Sequence, residues 1–405
     1  MGGAVRDAVA GGTPGDWDLA TRARPGDVQR LFRRTVPVGV EHGTVGVLGQ
    51  DDRMYEVTTF RRDVETDGRH ARVAFAQTIE EDLSRRDFTI NAIAWHPLTH
   101  EVRDPHGGRQ DLEAGRLRTV GEPRERFRED RLRVLRALRF AGRFGLKIDP
   151  ATWEAACAVT PEFGALSAER IREELRKTLQ EVAHPSDTLQ LYAASGALRV
   201  WYPELQACVG VPDPGAADVW AHLLNTTDAV PRHRVTLRLA ALLHDIGRPV
   251  DPAEHALAGA ALADRLLRRL RASNVEIGRV VHLTAQHADL PRSDASDADL
   301  RRWLQRVGPK LVPDLLRLRI AKLRARGEPE NSLLPLIRRV RRVLREHPPL
   351  EIGDLALGGR ELIELGVRPG PRIGEVLRGL LDQVLENPAL NTPDELGALV
   401  RRELV

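Results

Sequence analysis

The sequence predicts an α+β head followed by an all-α neck, body and tail. Three observations lead there. Strand-length runs of alternating character fall near the amino terminus, over Val45–Leu48 and Met54–Phe60, flanking Gln50-Asp51-Asp52 as two arms of a hairpin. Helical spacing takes over further on, with Leu132, Leu135, Leu138 and Phe140 inside Phe127–Phe144, and it persists through Asn331–Val405. Turn-rich breaks at Pro212–Gly215, Pro348-Pro349 and Gly366–Pro371 divide the helical part. The 405 residues suffice for two to four domains, and a hydrophobic content of 42% fills their cores.

Composition removes several classes. Aromatic residues make up 4% of the chain, which argues against reading single strands mainly by base stacking. Cys157 and Cys208 form neither a disulfide framework nor a zinc pattern and read as small buried hydrophobes. No signal peptide, long apolar run or lipidation motif is present, so the expected protein is soluble and cytoplasmic, without a membrane partner. Basic residues are almost all arginine, the lysines being Lys147, Lys177, Lys310 and Lys322. That skew suits bidentate phosphate contacts, and a coding bias explains it equally well.

Within the head, Ala8–Gly12 and Pro25–Arg33 read as helices, the second with Val28, Leu31 and Phe32 on one face. In Asp16-Trp17-Asp18 the two acids are two apart, so an extended strand points both carboxylates the same way. Like charges that close call for cations between them, and Mg²⁺ with oxygen ligands is the usual answer in nucleotidyl transfer. Gly2-Gly3 lets backbone N–H groups approach an anion, and Arg6 adds a charge suited to phosphate. Glu56, on the second hairpin strand, is a candidate third carboxylate or the partner of an arginine. Arg61–Phe75 is polar and aperiodic and reads as a loop.

The order of these pieces resembles the opening motif of the class II tRNA nucleotidyltransferase and bacterial poly(A) polymerase family: GG-x-VRD over Gly2–Asp7, D-x-D over Asp16–Asp18, then Ala20-Thr21. Arg85–Ala92, RRDFTINA, matches the family's second motif, and Asp104–Leu112 resembles its third, whose glycines suit a hinge. Glu129, Asp130 and Arg133 match its fourth, EDxxR, and Ser167–Leu179 resembles the helix that braces it, opened by a Ser cap. Asp67–His70 corresponds to a flexible loop that converts the site between nucleotides. The resemblance implies a nucleotidyltransferase fold with a small mixed sheet, here lacking its first strand. It implies two Mg²⁺ ions at Asp16 and Asp18 and phosphate contacts from Gly2, Gly3 and Arg6. Ribose placement falls to Arg85, Arg86, Asp87 and Asn91, and base selection to Asp130, Arg133, Arg136 and Arg139. ATP, CTP and the tRNA 3′ end are the implied partners.

Base selection also follows from chemistry. Adenine and cytosine both present an amino donor beside a ring-nitrogen acceptor, so an aspartate accepts from the first while an arginine donates to the second. Guanine and uracil present the reverse. Asp130 and Arg133, three apart and on one helical face, therefore form a template-free reader of ATP and CTP.

Beyond Pro212–Gly215, His222, the Leu242–Gly247 stretch with His244-Asp245, His255 and His287 resemble an HD-superfamily metal phosphohydrolase. His222, His244 and Asp245 are thus a candidate second divalent-metal site. The superfamily closes that site with a later Asp, where this chain has Ala321-Lys322, and a cation there opposes metal binding; Asp289 or Asp314 are alternative sources of the carboxylate. In the tail, Leu380, Leu381, Val384 and Leu385 form an apolar stripe expected in a core. The expected division is a head over 1–115, a neck over 116–210, a body over 211–345 and a tail over 346–405. The expected activity is untemplated addition of C and/or A to the tRNA 3′ end. An A-adding enzyme, a poly(A) polymerase and an HD phosphohydrolase remain the alternatives.

Overall fold

The computed structural model describes residues 1–15, 17–66, 71–162, 166–292 and 294–404, with side chains described outside 63–66, 71–73, 403 and 404. Contacts divide the chain into two units, Met1–Gln206 with Arg269–Arg271, and Ala207–Arg268 with Ala272–Val405.

The expected hairpin organises the first unit. Strands β3 (Thr44–Leu48) and β4 (Met54–Thr59) pair antiparallel, with Val45 opposite Val57. Asp52 takes a left-handed φ of 58° in their turn, a conformation that Asp tolerates better than most residues. β2 (Thr35–Gly39) extends the sheet antiparallel beyond β3, and β1 (Asp18–Thr21) joins β4 in parallel, giving a mixed four-stranded sheet in the order β1-β4-β3-β2. Helix α1 (Gly3–Val9) precedes the sheet, and α2 (Pro25–Leu31) lays Val28 on Val45, Val47 and Val57. The first helix therefore lies earlier than the expected Ala8–Gly12: Gly11, at φ 76°, ends the turn that the expected helix was to continue. The stretch read as a loop over Arg61–Phe75 contains a second hairpin, β5 (Arg61–Thr66) on β6 (Ala71–Phe75). Its first strand, Arg-Arg-Asp-Val-Glu-Thr in sequence, carries one apolar residue, so no alternation announces it.

Helix α3 (Ile79–Ser84) is boxed at its start by Thr78 and Glu81 and leads into the RRDFTINA stretch. Helix α4 (Gly108–Glu113) follows, and its first residue lies so close to the chain at Thr89 that a Cβ there would sit 2.1 Å from the Thr89 carbonyl oxygen. The third motif's glycine thus serves close packing, where a hinge was expected.

Helices α5 (Pro123–Glu129), α6 (Leu132–Phe144), α7 (Pro150–Val159) and α8 (Ala168–Glu181) complete the part of this unit that bears on the site. The continuous helix read over Phe127–Phe144 is two helices. Asp130, with φ −147°, ends the first of them, and its carboxylate accepts the Leu132 N–H at 3.1 Å in an Asx turn that leads into the second. Ser167 stands at the cap position of α8 without a side-chain cap hydrogen bond.

Among its described residues the second unit has helices and no named strand. Val219–Asp228, Val235–Leu243, Asn274–Gln286 and Val312–Ala325 pack on one another, and Leu380, Val384 and their neighbours on Pro371–Glu386 form a separate core with Leu362 and Leu396. Cys208 is buried and Cys157 half-buried. No helix among the described residues is long and apolar enough to cross a membrane.

Candidate active site

Asp18 opens β1 and stands opposite Glu56 in the parallel ladder with β4. Register partners in a parallel pair share a face, and neighbouring strands lie about 4.8 Å apart. Both side chains are exposed, and among the described residues neither makes an ion pair. A cationic partner for Glu56, the alternative reading, is therefore missing from the described residues, and two carboxylates on one face suit a hard divalent cation. Asp16 lies outside the described residues, as do Asp67–His70 of the expected nucleotide-converting loop.

The glycine pair and Arg6 sit differently from the sequence expectation. Gly3 begins α1, so Gly2 alone holds the loop conformation, with φ 67° and its N–H donated to the Ile93 carbonyl at 2.9 Å. Arg6 is buried. It donates to Asp7 at 2.6–2.8 Å and to Asn91 Oδ1 at 2.5 Å, and its guanidinium lies 4.5 Å from the centre of the Phe144 ring. In this arrangement Arg6 fastens α1 to the second motif and to α6.

The RRDFTINA stretch forms the junction of head and neck. Asp87 is buried and accepts from Phe88 N and Asn91 Nδ2, each at 2.9 Å, and from Arg136 Nε at 2.8 Å. Burial pushes the Asp87 carboxyl up, but Arg136 and these hydrogen bonds outweigh it and hold it below the usual range, while Asp87 raises Arg136. Arg86 turns to buried Asp82 at 3.0 Å, and the Arg85 carbonyl accepts from Arg133 at 3.4 Å.

The four residues expected to select the base divide into two pairs. Asp130 and Arg133 lie half-buried at the start of α6, joined by a turn in which Arg133 N–H donates to the Asp130 carbonyl at 3.0 Å. Asp130 is held by Arg170 of α8 at 2.7 Å, and Arg133 by Glu129 at 2.5 Å and the Arg126 carbonyl at 3.0 Å. Arg136 and Arg139 point elsewhere: Arg136 reaches Asp87, and Arg139, 3% exposed, is clamped by Glu174 and Glu181 at 2.7 and 2.9 Å. Arg170, Glu174 and Glu181 therefore brace α6 from α8. No local pattern in the sequence marks which of the α8 residues do so.

In the second unit, His222, His244, Asp245 and Lys322 come together at a buried position, and His255 and His287 join them. Asp289 and Asp314, the alternative carboxylates, are engaged elsewhere, Asp289 by Arg306 and Asp314 by Arg279 and Arg317. Burial, with Lys322 adding to it, pushes His222 down to about 4.

A small mixed sheet presenting carboxylates, in a unit whose neck helix is tied to the second motif through Asp87 and Arg136, fits a nucleotidyltransferase head. Residues 1–118 match the poly(A) polymerase head domain, residues 145–208 the "Probable RNA and SrmB-binding site of polymerase A", and residues 216–342 the HD domain. The chain is 34% identical over 404 residues to the CCA-adding enzyme of Geobacillus kaustophilus, covering 98% of itself and 91% of that relative. It is 47% identical over 182 residues to the CCA-adding enzyme of Bacillus subtilis, which spans 44% of this chain and 45% of that one. Its fold superposes on the crystal structure of the Bacillus stearothermophilus CCA-adding enzyme in complex with CTP, with a TM-score of 0.73 and 31% identity, covering all of this chain and 92% of the other. The chain belongs to the CCA-adding enzyme family of nucleotidyltransferases.

Proposed function

We propose that the protein adds C and A, without a template, to the 3′ end of tRNA in the cytoplasm, with CTP and ATP as donors and pyrophosphate as the leaving group. The observation that carries this reading is the Asp87–Arg136 pair: it fastens α6, and with it Asp130 and Arg133, to the motif proposed to place the ribose. A nucleotide whose sugar lies at Arg85–Asn91 then has its base within the reach of the start of α6. Asp130 accepts from the amino group of cytosine or adenine, and Arg133 donates to the adjacent ring nitrogen. With guanine or uracil the carboxylate faces an oxygen and loses its hydrogen bond, at a cost of about 1–3 kcal/mol or more for a charged group.

Divalent metal use goes with the family, and Mg²⁺ is the ion proposed here, held as two ions by Asp16 and Asp18 with Glu56 alongside. Such ions supply a lowered pKa at the primer hydroxyl and charge neutralisation on the triphosphate. The chain's own residues orient: Gly2 and Gly3 shape the first turn, Arg6 and Asn91 fix it against α6, and Arg85 and Arg86 flank the phosphate side. The head over 1–115 and the neck over 116–210 carry the chemistry, with the body and tail over 211–345 and 346–405 supporting the tRNA.

Primer extension tests the proposal. tRNA ending at the discriminator base, at C or at CC is offered with each nucleoside triphosphate and Mg²⁺, and the products are sized. Growth to CCA with CTP and ATP is expected; addition of A alone identifies an A-adding enzyme, and long A tracts a poly(A) polymerase. No incorporation on any primer rejects nucleotidyl transfer.

A further inference from the structure

The polar cluster of the second unit has the ligand shell of a metal site. The Nδ1 atoms of His244, His255 and His287 lie 2.7, 3.2 and 2.6 Å from the carbonyl oxygens of Ala241, Pro252 and Thr284. Backbone acceptors in those places take the Nδ1 protons of His244 and His255 and turn each Nε2 inward, the orientation found in metal-binding imidazoles, whereas His287 has an acceptor oxygen at both ring nitrogens. The Nε2 atoms converge on one carboxylate. That of His287 is 2.8 Å from Asp245 Oδ1 and that of His255 3.6 Å, while those of His222 and His244 are 3.6 and 3.5 Å from Oδ2 and 3.1 Å from each other. His222 Nδ1 is buried with no partner among the described residues.

The charge in the cluster is nonetheless already answered by the chain. Lys322 Nζ lies 3.8 Å from Asp245 Oδ1, with the side chain 7% exposed, and Arg248 Nε donates to Asp245 Oδ2 at 2.7 Å. The neighbouring Asp213 faces Arg248 at 3.9 Å and Arg326 at 3.6 Å. Two carboxylates thus meet three cations before any ion is added. A divalent ion would add two further positive charges beside a buried ammonium, while Asp245, the single anion of the shell, already serves two cations.

We propose that the second unit keeps a hydrolase-like ring of imidazoles but has exchanged its metal for Lys322, whose buried ammonium beside Asp245 supplies the positive charge that an ion would bring. The site accordingly takes up no divalent ion and carries no metal-dependent hydrolysis. Removal of the lysine charge opens it, and a carboxylate in its place completes a metal site.

The test uses the full chain carrying Asp18→Asn, so that the head contributes little metal. The protein is stripped with chelator, equilibrated with Co²⁺, desalted and measured for bound cobalt and for visible absorption from imidazole-ligated Co²⁺. Less than a tenth of an equivalent is expected with Lys322 present, and close to one equivalent, with the absorption band, for Lys322→Asp. Near-stoichiometric cobalt with Lys322 present, lost on His244→Ala, overturns the proposal. So does absence of cobalt from both Lys322→Asp and Lys322→Met when their circular dichroism matches that of the parent. The measurement on the parent needs no variant at position 322, so misfolding of those variants does not shield the proposal.

Discussion

Asp130 Oδ2 lies 2.7 Å from the Arg170 guanidinium, a partner 40 positions further along the chain, and this pair sets the direction of the proposed base-reading carboxylate. Both side chains are about one-third exposed, so the pair is worth no more than about 1 kcal/mol. Arg170→Ala is expected to raise KM for CTP and ATP about fivefold, the equivalent of 1 kcal/mol, with a smaller change in kcat. Arg170→Lys restores part of the loss. Steady-state kinetics with each nucleotide read it out; equal KM values across the three proteins contradict a positioning role.

The Asp18–Glu56 register predicts a sharp separation of activity from stability. Both carboxylates are exposed and unpaired among the described residues. Asp18→Asn is expected to lower nucleotide incorporation by on the order of a thousandfold, the scale of losing a principal electrostatic stabiliser of a transition state, with Tm unchanged within a degree or two. Glu56→Gln is expected to fall between the parent and Asp18→Asn if Glu56 shares the metal.

Gly108 is expected to be intolerant of any side chain. A Cβ 2.1 Å from the Thr89 oxygen forces α4 away from the RRDFTINA stretch. Gly108→Ala should cost about 1–3 kcal/mol, measured as a lower denaturation midpoint, and should weaken nucleotide binding along with stability.

The Asp87–Arg136 pair predicts an acid-sensitive junction. Burial opposes ionisation of Asp87, but Arg136 and the hydrogen bonds win, so its folded pKa lies below the unfolded value. The contribution is then fully present above the unfolded value of about 4 and fades as pH falls through the folded one. Asp87→Asn, which leaves a partly exposed cation beside a buried amide, should cost about 1–3 kcal/mol at pH 7. Urea midpoints of parent and variant should converge below pH 4; a gap independent of pH contradicts the assignment.

Motifs with mixed chemistry were legible in the chain; their surroundings were not. RRDFTINA and the His244-Asp245 step announce themselves because the residue types and order are unusual, and Lys322 stood out against the expected acid. The break at Asp130 was hidden because helical spacing of the leucines continues across it, while the decisive Leu132 N–H bond to the Asp130 carboxylate is a local Asx turn. The burial of Arg6 depends on Phe140 and Phe144, far along the chain, and no periodicity in α1 encodes that. The facing of Asp18 and Glu56 is a matter of strand register, which tertiary pairing fixes. Arg136 and Arg139 carry the same residue type at the same helical spacing as Arg133, yet only their partners on Asp87, Glu174 and Glu181 set them apart from it.

Nucleotide preference in Asp130→Ala is the most direct test of the claim that a side-chain pair replaces a template. The quantity is the ratio of kcat/KM for CTP and ATP to that for UTP and GTP on tRNA primers, parent against variant. The parent should prefer CTP and ATP by at least about a hundredfold, and the variant should lose most of that preference while still binding Mg²⁺ and tRNA. A variant that keeps the parental ratio places the reading of the base elsewhere and contradicts the account.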